Sequence, residues 1–470
     1  MGDDHRQRLH AALDRAHALA VGYLDGLATR PVATPTADLA AALDEPLPET
    51  GLDPAATLDE WLRRAGPGIV ASSGPRFFGF VNGGTTPAAL AGDWLASALD
   101  QNAGMWLGSP AAAETEVVVL GWLKDLFGLP EDWAGALTSG ATMANLVGLA
   151  AGRQWVAARL GFDAAGDGLA GRPPIPVLAS TAIHSSALKA LATLGLGRDS
   201  VTRLPAREGV IDVDALAAAL AATDGPAIVV ANAGEVNVGA FDPIAAMADL
   251  CAAHRPGAWL HVDGAFGLFA ALSRAHAHLV AGVERASSVA ADGHKWLNLP
   301  YDCGFVFVRE AQALRGAFTA AAAYLTVSSG NWDPHTHVPE MSRRFRALAA
   351  WCALKSNGRA GYRALVEDCL ANAARFAAWV AAEPGLELMA PATLNVVCFR
   401  AEAASTEAAD DINQRLAPAL RADGRVFVTA TTWNGRAAVR AAFDNWSTTA
   451  ADVDILERAV AEVVSRLRSG

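Results

Sequence analysis

The architecture of the chain turns on residues 287–309, SSVAADGHKWLNLPYDCGFVFVR. An apolar run leads into Asp292-Gly293-His294-Lys295-Trp296, and a second apolar run follows from Cys303 to Val308. This pattern predicts a strand, a tight loop carrying a lysine, and a second strand. Lysine is scarce: only Lys124, Lys189, Lys295 and Lys355 occur among 37 basic residues, and arginine supplies the other cations. Arginine stays protonated, whereas a desolvated lysine can lose its proton and attack a carbonyl carbon to form a Schiff base. A lysine at a strand end that simply extends its amine to water is the other reading of this stretch taken alone.

Thirty-two residues before Lys295 stands Asp263, in Trp259-Leu260-His261-Val262-Asp263-Gly264-Ala265-Phe266-Gly267. This reads as a short buried strand that ends in an acid and small residues. An acid at the carboxyl end of a parallel strand sits where open α/β sheets bind ligands. Alone, Asp263 reads more simply as a helix cap. Paired with Lys295, it matches what pyridoxal phosphate (PLP) requires: a lysine for the aldehyde and a carboxylate that keeps the pyridine nitrogen protonated.

HVDGAFG followed by DGHKW resembles the HVDAAxG and HKW signatures of the group II PLP-dependent amino acid decarboxylases, which include the aromatic amino acid, glutamate and histidine decarboxylases. The resemblance runs from about residue 75 to about residue 400, and more loosely to both ends. It implies a fold-type I (aspartate aminotransferase-like) α/β architecture, with a mostly parallel sheet in a large domain and a small α/β C-terminal domain. The implied division is an N-terminal helical segment (1–80) packing on a partner subunit, a PLP-binding domain (81–345) and a small domain (346–470). The same resemblance makes Lys295 the Schiff-base lysine and Asp263 the partner of the pyridine nitrogen. His184, in a match to HSSxxKA, would stack on the ring and meet the substrate carboxylate, and Ala265 would cover the other face. Asp292 and His294 would line the cofactor pocket.

Residues 138–145, TSGATMAN, precede an expected helix. Small hydroxyl and glycine residues at a helix N-terminus make an anion site, although an ordinary N-cap has the same composition. The stretch resembles the family's TSGGTxAN phosphate loop, which would assign the phosphate to Ala141 and Thr142. Lys189 falls in a matched motif but reads as a surface helix residue.

The chain also departs from the family. Glu235-Val236 follows Gly234 where the family often has a Thr pair. Asp292 stands where animal aromatic decarboxylases carry Asn. Residues 326–339, TVSSGNWDPHTHVP, form an expected active-site lid before RRFRALAAW, which matches RRFRxLxxW, but contain no Tyr where the family's aromatic decarboxylases have a proton-donating one. His335 or His337 would then deliver the proton, imidazole being suited to acid chemistry near neutral pH. Two solvated surface histidines are the alternative reading.

At 470 residues, 52% hydrophobic and 18% charged, the chain is long enough for two or three domains and a large core. Its net charge of -12 and lack of a basic run argue against nucleic acid or anionic membrane as a partner. No apolar run reaches about 18 residues, and the charged, amphipathic start does not read as a signal peptide. Five scattered cysteines without a CxxC pair read as reduced core residues of a cytoplasmic protein, with no metal site.

Periodicity places helices at 7–29, 58–64, 87–102, 111–126, 146–160, 212–222, 243–254, 362–383 and 451–468, with another beginning near Arg343. It places strands at 175–180, 200–205, 227–231, 396–400, 426–429 and 437–443. Glu114 and Glu116 read as complements to a helix dipole. Phe77, Phe78, Phe80, Trp106 and Trp332 suggest an aromatic or apolar substrate pocket, unless they are core. The sequence thus points to a homodimeric PLP-dependent decarboxylase that removes the α-carboxylate of an L-amino acid, aromatic favoured. The alternatives are oxidative decarboxylation-deamination to an aldehyde, credible because the lid Tyr is missing, or another PLP reaction such as transamination. A non-catalytic homologue is opposed by the intact Asp263, Lys295 and His184.

Overall fold

The computed structural model describes residues 3–33, 39–319 and 331–469. The N-terminal part is helical: α1 (Asp3–Asp25), α2 (Leu39–Leu43), α3 (Pro54–Ala65), α4 (Pro87–Leu99) and α5 (Pro110–Phe127). Strands and helices then alternate as β1 (Ala134–Thr138), α6 (Ala141–Arg159), β2 (Val177–Ser180), α7 (Ser185–Thr193), β3 (Thr202–Leu204), β4 (Ala206–Arg207), β5 (Val210–Ile211), α8 (Val213–Ala221), β6 (Ala227–Asn232), α9 (Ile244–Ala253), β7 (Ala258–Asp263), β8 (Ser288–Asp292), β9 (Gly304–Val308) and α10 (Ala311–Phe318). The remainder comprises α11 (Arg346–Ala382), β10 (Leu386–Leu388), β11 (Val396–Ala401), α12 (Thr406–Asp423), β12 (Thr429–Trp433), β13 (Arg436–Ala442) and α13 (Ala450–Ser469).

Seven strands form one sheet in the order β1-β9-β8-β7-β6-β2-β3. The strands from β8 to β3 pair in parallel, and β9 runs against both of its neighbours. Every residue of β6, β8 and β9 is buried. That is why these strands read as continuous apolar runs: both faces of the sheet are covered by helices. The β8–β9 pair is antiparallel because the loop between the two strands carries no crossover helix. Thr138, Ser180, Asn232, Asp263 and Asp292 end their strands at the same carboxyl edge, where the loops that hold the site begin.

Helix α6 packs on this sheet through Asn145, Gly148 and Gly152, which share one face at i, i+3 and i+7. A Cβ at Gly148 would lie 2.7 Å from His261 Cε1, and one at Gly152 would lie 2.8 Å from Trp259 Cδ1. The two glycines let a His and a Trp from β7 fill space under the helix.

The second sheet is antiparallel, in the order β10-β11-β13-β12. Phe78 donates its N–H to the Phe427 carbonyl (2.8 Å) and accepts the Ala442 N–H (2.9 Å). Phe77 stacks on Phe427 at 4.6 Å, and Phe78 meets Phe443 at 5.0 Å. These two phenylalanines therefore belong to the core and do not line a substrate pocket. Truncating such a buried ring to Ala costs about 3–5 kcal/mol. The same contact explains why the strand expected at 426–429 starts only at Thr429: Phe427 pairs with Phe77 across a single parallel bridge instead.

Two other expectations are corrected. Glu116 is buried in an ion pair with Arg343 (3.1 Å) and is no partner for a helix dipole. The two helices expected near 343 and over 362–383 run as α11, broken at Gly358, whose φ of 60° and ψ of 179° are non-helical. Asp212, one of two residues expected to cap α8, does so by accepting the Ala215 N–H.

Candidate active site

Lys295 lies in the β8–β9 loop with its side chain largely buried. Its Nζ is 3.4 Å from Asp292 Oδ2 and 5.4 Å from the centre of the Phe266 ring. Asp292, at the end of β8, is also buried. Its Oδ1 accepts the Ala141 N–H and lies 3.4 Å from His294 Nε2. Burial pushes the His294 imidazole below its ordinary value, against the pull of the Asp292 charge. The His294 ring stacks on Tyr301 at 4.3 Å, and Tyr301 donates its hydroxyl to Asn82 Oδ1 (2.7 Å).

Asp263 ends β7 one strand away. Its Oδ1 accepts the Ala265 N–H (3.2 Å) and its Oδ2 accepts Asn145 Nδ2 (2.8 Å). The carboxylate is thus held by donors from its own turn and from α6. His184 caps α7, where its Nδ1 accepts the Ser186 N–H (3.2 Å) and lies 2.7 Å from Ser186 Oγ. An Nδ1 that accepts leaves the hydrogen of the neutral ring on Nε2. Burial lowers the His184 pKa, opposed by the charge of Asp263 and assisted by Lys295 and Arg440. His184 is therefore neutral at pH 7. Strands β7 and β2 and helix α6 bring Asp263, His184 and Asn145 to one place, and β8 brings Lys295 and Asp292 beside them.

The fit to PLP rests on three features. Gly140, the N-cap of the 19-residue α6, has no side chain to cap the helix, and its φ of 150° favours glycine. A Cβ at Gly140 would lie 3.1 Å from His294 Cε1, so a side chain there would crowd the loop. His294 Nδ1 is buried and has no hydrogen-bond partner among the described residues. The set of Lys295, Asp263, the α6 N-terminus and His294 suits an aldehyde, a pyridine nitrogen and a phosphate. The Ala141 amide is engaged by Asp292, so of the pair expected to hold phosphate only Thr142, in the exposed first turn, is uncommitted.

The two loop histidines are not solvated. His335 and His337 flank Thr336 in a buried turn, where the His335 N–H donates to the Gly104 carbonyl (3.0 Å) and the Trp106 N–H donates to Asp333 Oδ1 (2.8 Å). Burial pushes the His337 imidazole down to about 4. Among the described residues, no hydrogen bond or ion pair joins either histidine to Lys295, Asp263 or His184. The first part of the expected lid, with Tyr324 just before it, lies outside the described residues. Trp106 donates its indole N–H to Glu114 Oε1 (2.8 Å), and Trp332 packs on His337 at 5.6 Å.

In place of the expected Thr pair, Glu235 folds back on its own turn, accepting the Asn237 and Val238 N–H groups and Asn237 Nδ2. Asn232 Nδ2 donates to the Ala182 carbonyl (3.4 Å). Sequence reasoning missed several neighbours of the site. Arg440 on β13 donates to the Val236 carbonyl and acts electrostatically on His184. Asp444 is fully buried, and burial pushes its carboxyl up to about 8, opposed by Lys295. Asn145 and Ser186 stood inside matched motifs, but nothing in the sequence assigned them a contact.

The model of the pyridoxal-dependent decarboxylase conserved domain matches residues 37–402. An aromatic-L-amino-acid decarboxylase of Bacillus atrophaeus is 32% identical, covering 98% of this chain and 96% of the relative. A phenylacetaldehyde synthase of Arabidopsis thaliana is 28% identical over 84% of each. The solved structure of Oryza sativa TDC with PLP and tryptamine superposes with a TM-score of 0.91 at 28% identity, covering 99% of both chains. With its match to that domain over residues 37–402 and to a relative 32% identical over nearly its whole length, the chain belongs to the group II pyridoxal-dependent decarboxylases and is a PLP-dependent amino acid decarboxylase.

Proposed function

We propose that this decarboxylase acts on an L-amino acid with an aromatic side chain and releases CO2 and the corresponding amine. The observation that carries the reading is the convergence of Lys295, Asp263 and His184 at the carboxyl edge of one sheet, with every polar atom of the Asp263 side chain and the Nδ1 of His184 held in hydrogen bonds. The names of the Bacillus relative and of the rice structure with tryptamine favour an aromatic substrate.

When bound, PLP supplies an aldehyde and a ring that takes up the electron pair left by CO2. Lys295 Nζ would hold the cofactor through its aldehyde, and Asp263 would keep the ring nitrogen protonated. His184, with its Nδ1 occupied by Ser186, and Ala265 would flank the ring, and Thr142 and His294 would hold the phosphate, with Asp292 paired to Lys295. The α-carbon then needs a proton. Lys295 Nζ delivers it, with His335 the second candidate. His337, neutral at pH 7, is a poor acid.

The molecule works as a homodimer in the cytoplasm, with a helical N-terminal segment (1–80), a PLP-binding domain (81–345) and a small domain (346–470). Helix α1 buries none of its residues and exposes Leu9, Leu13 and Leu24, and α4 exposes Trp94, Leu95 and Leu99. Such apolar faces support a second subunit as their cover. The five free cysteines, four of them buried, support a reducing compartment. No helix among the described residues is long and apolar enough to cross a membrane.

A second reading is oxidative decarboxylation-deamination, in which O2 is reduced to peroxide and the amino acid gives an aldehyde, CO2 and ammonia. It is favoured by the absence of Tyr from residues 326–339. One experiment tests both: PLP-loaded protein is incubated in air with single L-amino acids, aromatic and diamino, and the products are identified by mass spectrometry. Amine formed fastest from an aromatic substrate supports the proposal. Aldehyde with peroxide supports the second reading, and preference for a diamino acid overturns the aromatic assignment.

A further inference from the structure

Beneath the site runs a chain of buried side chains that the decarboxylation chemistry does not itself use. Trp259 Nε1 lies 2.9 Å from Ser288 Oγ, which lies 2.8 Å from His261 Nδ1. His261 Nε2 lies 2.9 Å from Asn145 Oδ1. The two Nδ2 hydrogens of Asn145 reach Asp263 Oδ2 (2.8 Å) and Ser186 Oγ (3.0 Å). Trp259, Ser288, His261 and Asn145 are all 0% exposed.

The two ends fix the direction of every bond. An indole N–H only donates, and an ionised carboxylate only accepts. Trp259 therefore donates to Ser288, and Ser288 uses its single hydrogen on His261 Nδ1. His261 is left with its hydrogen on Nε2, which it donates to Asn145 Oδ1. The Asn145 amide must then face Asp263 and Ser186 with its nitrogen. Ser186, having accepted from Asn145, donates to His184 Nδ1 at 2.7 Å in preference to Asp263 at 3.5 Å. From Trp259 to Asn145 each donor meets one acceptor in this arrangement, and Ser186, which has two acceptors in reach, is closer to His184. The room for the chain exists because Gly148 and Gly152 carry no Cβ against His261 and Trp259.

We propose that Asn145 is a positioning residue that couples Asp263 to His184. Its carboxamide, anchored by neutral His261, holds the Asp263 carboxylate as an acceptor and, through Ser186, holds His184 in the Nε2–H form. One side chain thereby sets both the group beneath the ring nitrogen and the group over the ring face. This rests on the reading of Asp263 and His184 as cofactor contacts, and the test separates the two.

The test measures the PLP dissociation constant of folded apoprotein by titration, with the visible absorbance of the bound cofactor. Circular dichroism and melting temperature report the fold. Asp263→Asn tests the underlying reading: unchanged affinity and spectrum there would remove the basis of the proposal. Asn145→Asp preserves shape but sets an acceptor against the Asp263 acceptor. It is expected to weaken PLP binding on the order of tenfold or more and to move the visible band. His261→Gln retains an N–H near the Nε2 position and is expected to behave like the parent protein. His261→Leu, which lacks that N–H, is expected to resemble the Asn145 variant. If Asp263→Asn impairs binding while folded Asn145→Asp and His261→Leu bind PLP within about twofold of the parent with its spectrum, the coupling is overturned. A further measurement needs no variant that must fold. The side-chain nitrogen-15 shifts of histidine-labelled parent protein are expected to report Nε2–H for His261 and His184, and Nδ1–H at either ring overturns the proposal.

Discussion

At the scale of single residues, Asp292 is the informative departure. It stands at the N-terminus of α6, accepts the Ala141 amide and pairs with Lys295. A carboxylate at that point opposes a second anion, and it also occupies a donor that a phosphate would use. Asp292→Asn is expected to lower the PLP dissociation constant severalfold, read by titration of apoprotein. A higher constant would mean that the ion pair to Lys295 matters more than the repulsion. Lys295→Ala is expected to remove the visible absorbance of bound cofactor and all decarboxylation, and a retained band would refute its role. Asp263 is legible in the sequence because it closes an apolar run, and Lys295 because it is one of few lysines and stands in the short loop between two such runs; packing alone seldom places a charge there. Asn145 is not legible. Its contacts come from β7 and α7, and an Asn in the first turns of a helix is ordinary. The burial of His335 and His337 is hidden too, because a polar composition does not reveal that a turn is covered.

At the scale of elements, α6 shows why its glycines matter. Gly148→Ala puts a methyl 2.7 Å from His261 Cε1 and 2.8 Å from its Nδ1, deep in the sheet interface, so that the ring or the helix must shift. Overpacking of this kind costs typically about 1–3 kcal/mol, offset in part by the better helix propensity of Ala. Gly148→Ala is expected to lower the melting temperature of apoprotein and to weaken PLP binding, because the displaced ring is the one bonded to Asn145. Gly121→Ala in α5, where a Cβ meets nothing within 4 Å, is the control and is expected to be neutral or mildly stabilising. Helices with strong periodicity and strands with continuous apolar runs are readable to within a few residues. The strand at the β1 edge and the shifted β12 are not, since pairing with residues 76–78 and with β9 decides their extent. The Schiff-base loop is readable as a loop between two strands, although the alternation of strands and helices says nothing of β9 running backwards.

At the scale of the whole molecule, buried ionisable groups make stability depend on pH in two opposing ways. Burial pushes His261 and His337 down to about 4. A histidine whose folded pKa lies below its unfolded value binds a proton more readily once unfolded. Its contribution is full above the unfolded value of about 6.5 and is lost as the pH falls from there to about 4, by about 3 kcal/mol for each ring. Asp242 and Asp444 act in the other direction, with carboxyls pushed up to about 6 and about 8. Each holds its proton to a higher pH in the folded chain than in the unfolded one, so each costs stability as the pH rises from the unfolded carboxyl range toward its folded value. The parent curve sums these slopes and by itself identifies none of them. The difference between two proteins does. His337→Asn keeps a polar atom near Nδ1, beside Thr336 Oγ1, but has no proton to take up. Urea denaturation of apoprotein at pH 7 is expected to find the variant less stable than the parent, through lost packing against Trp332. As the pH is lowered to about 4, the gap is expected to narrow by about 3 kcal/mol, because only the parent carries the ring that acid attacks. A gap that stays constant from pH 7 to pH 4 would mean that His337 titrates in the folded protein as it does in water, and that the turn at 334–336 opens to solvent.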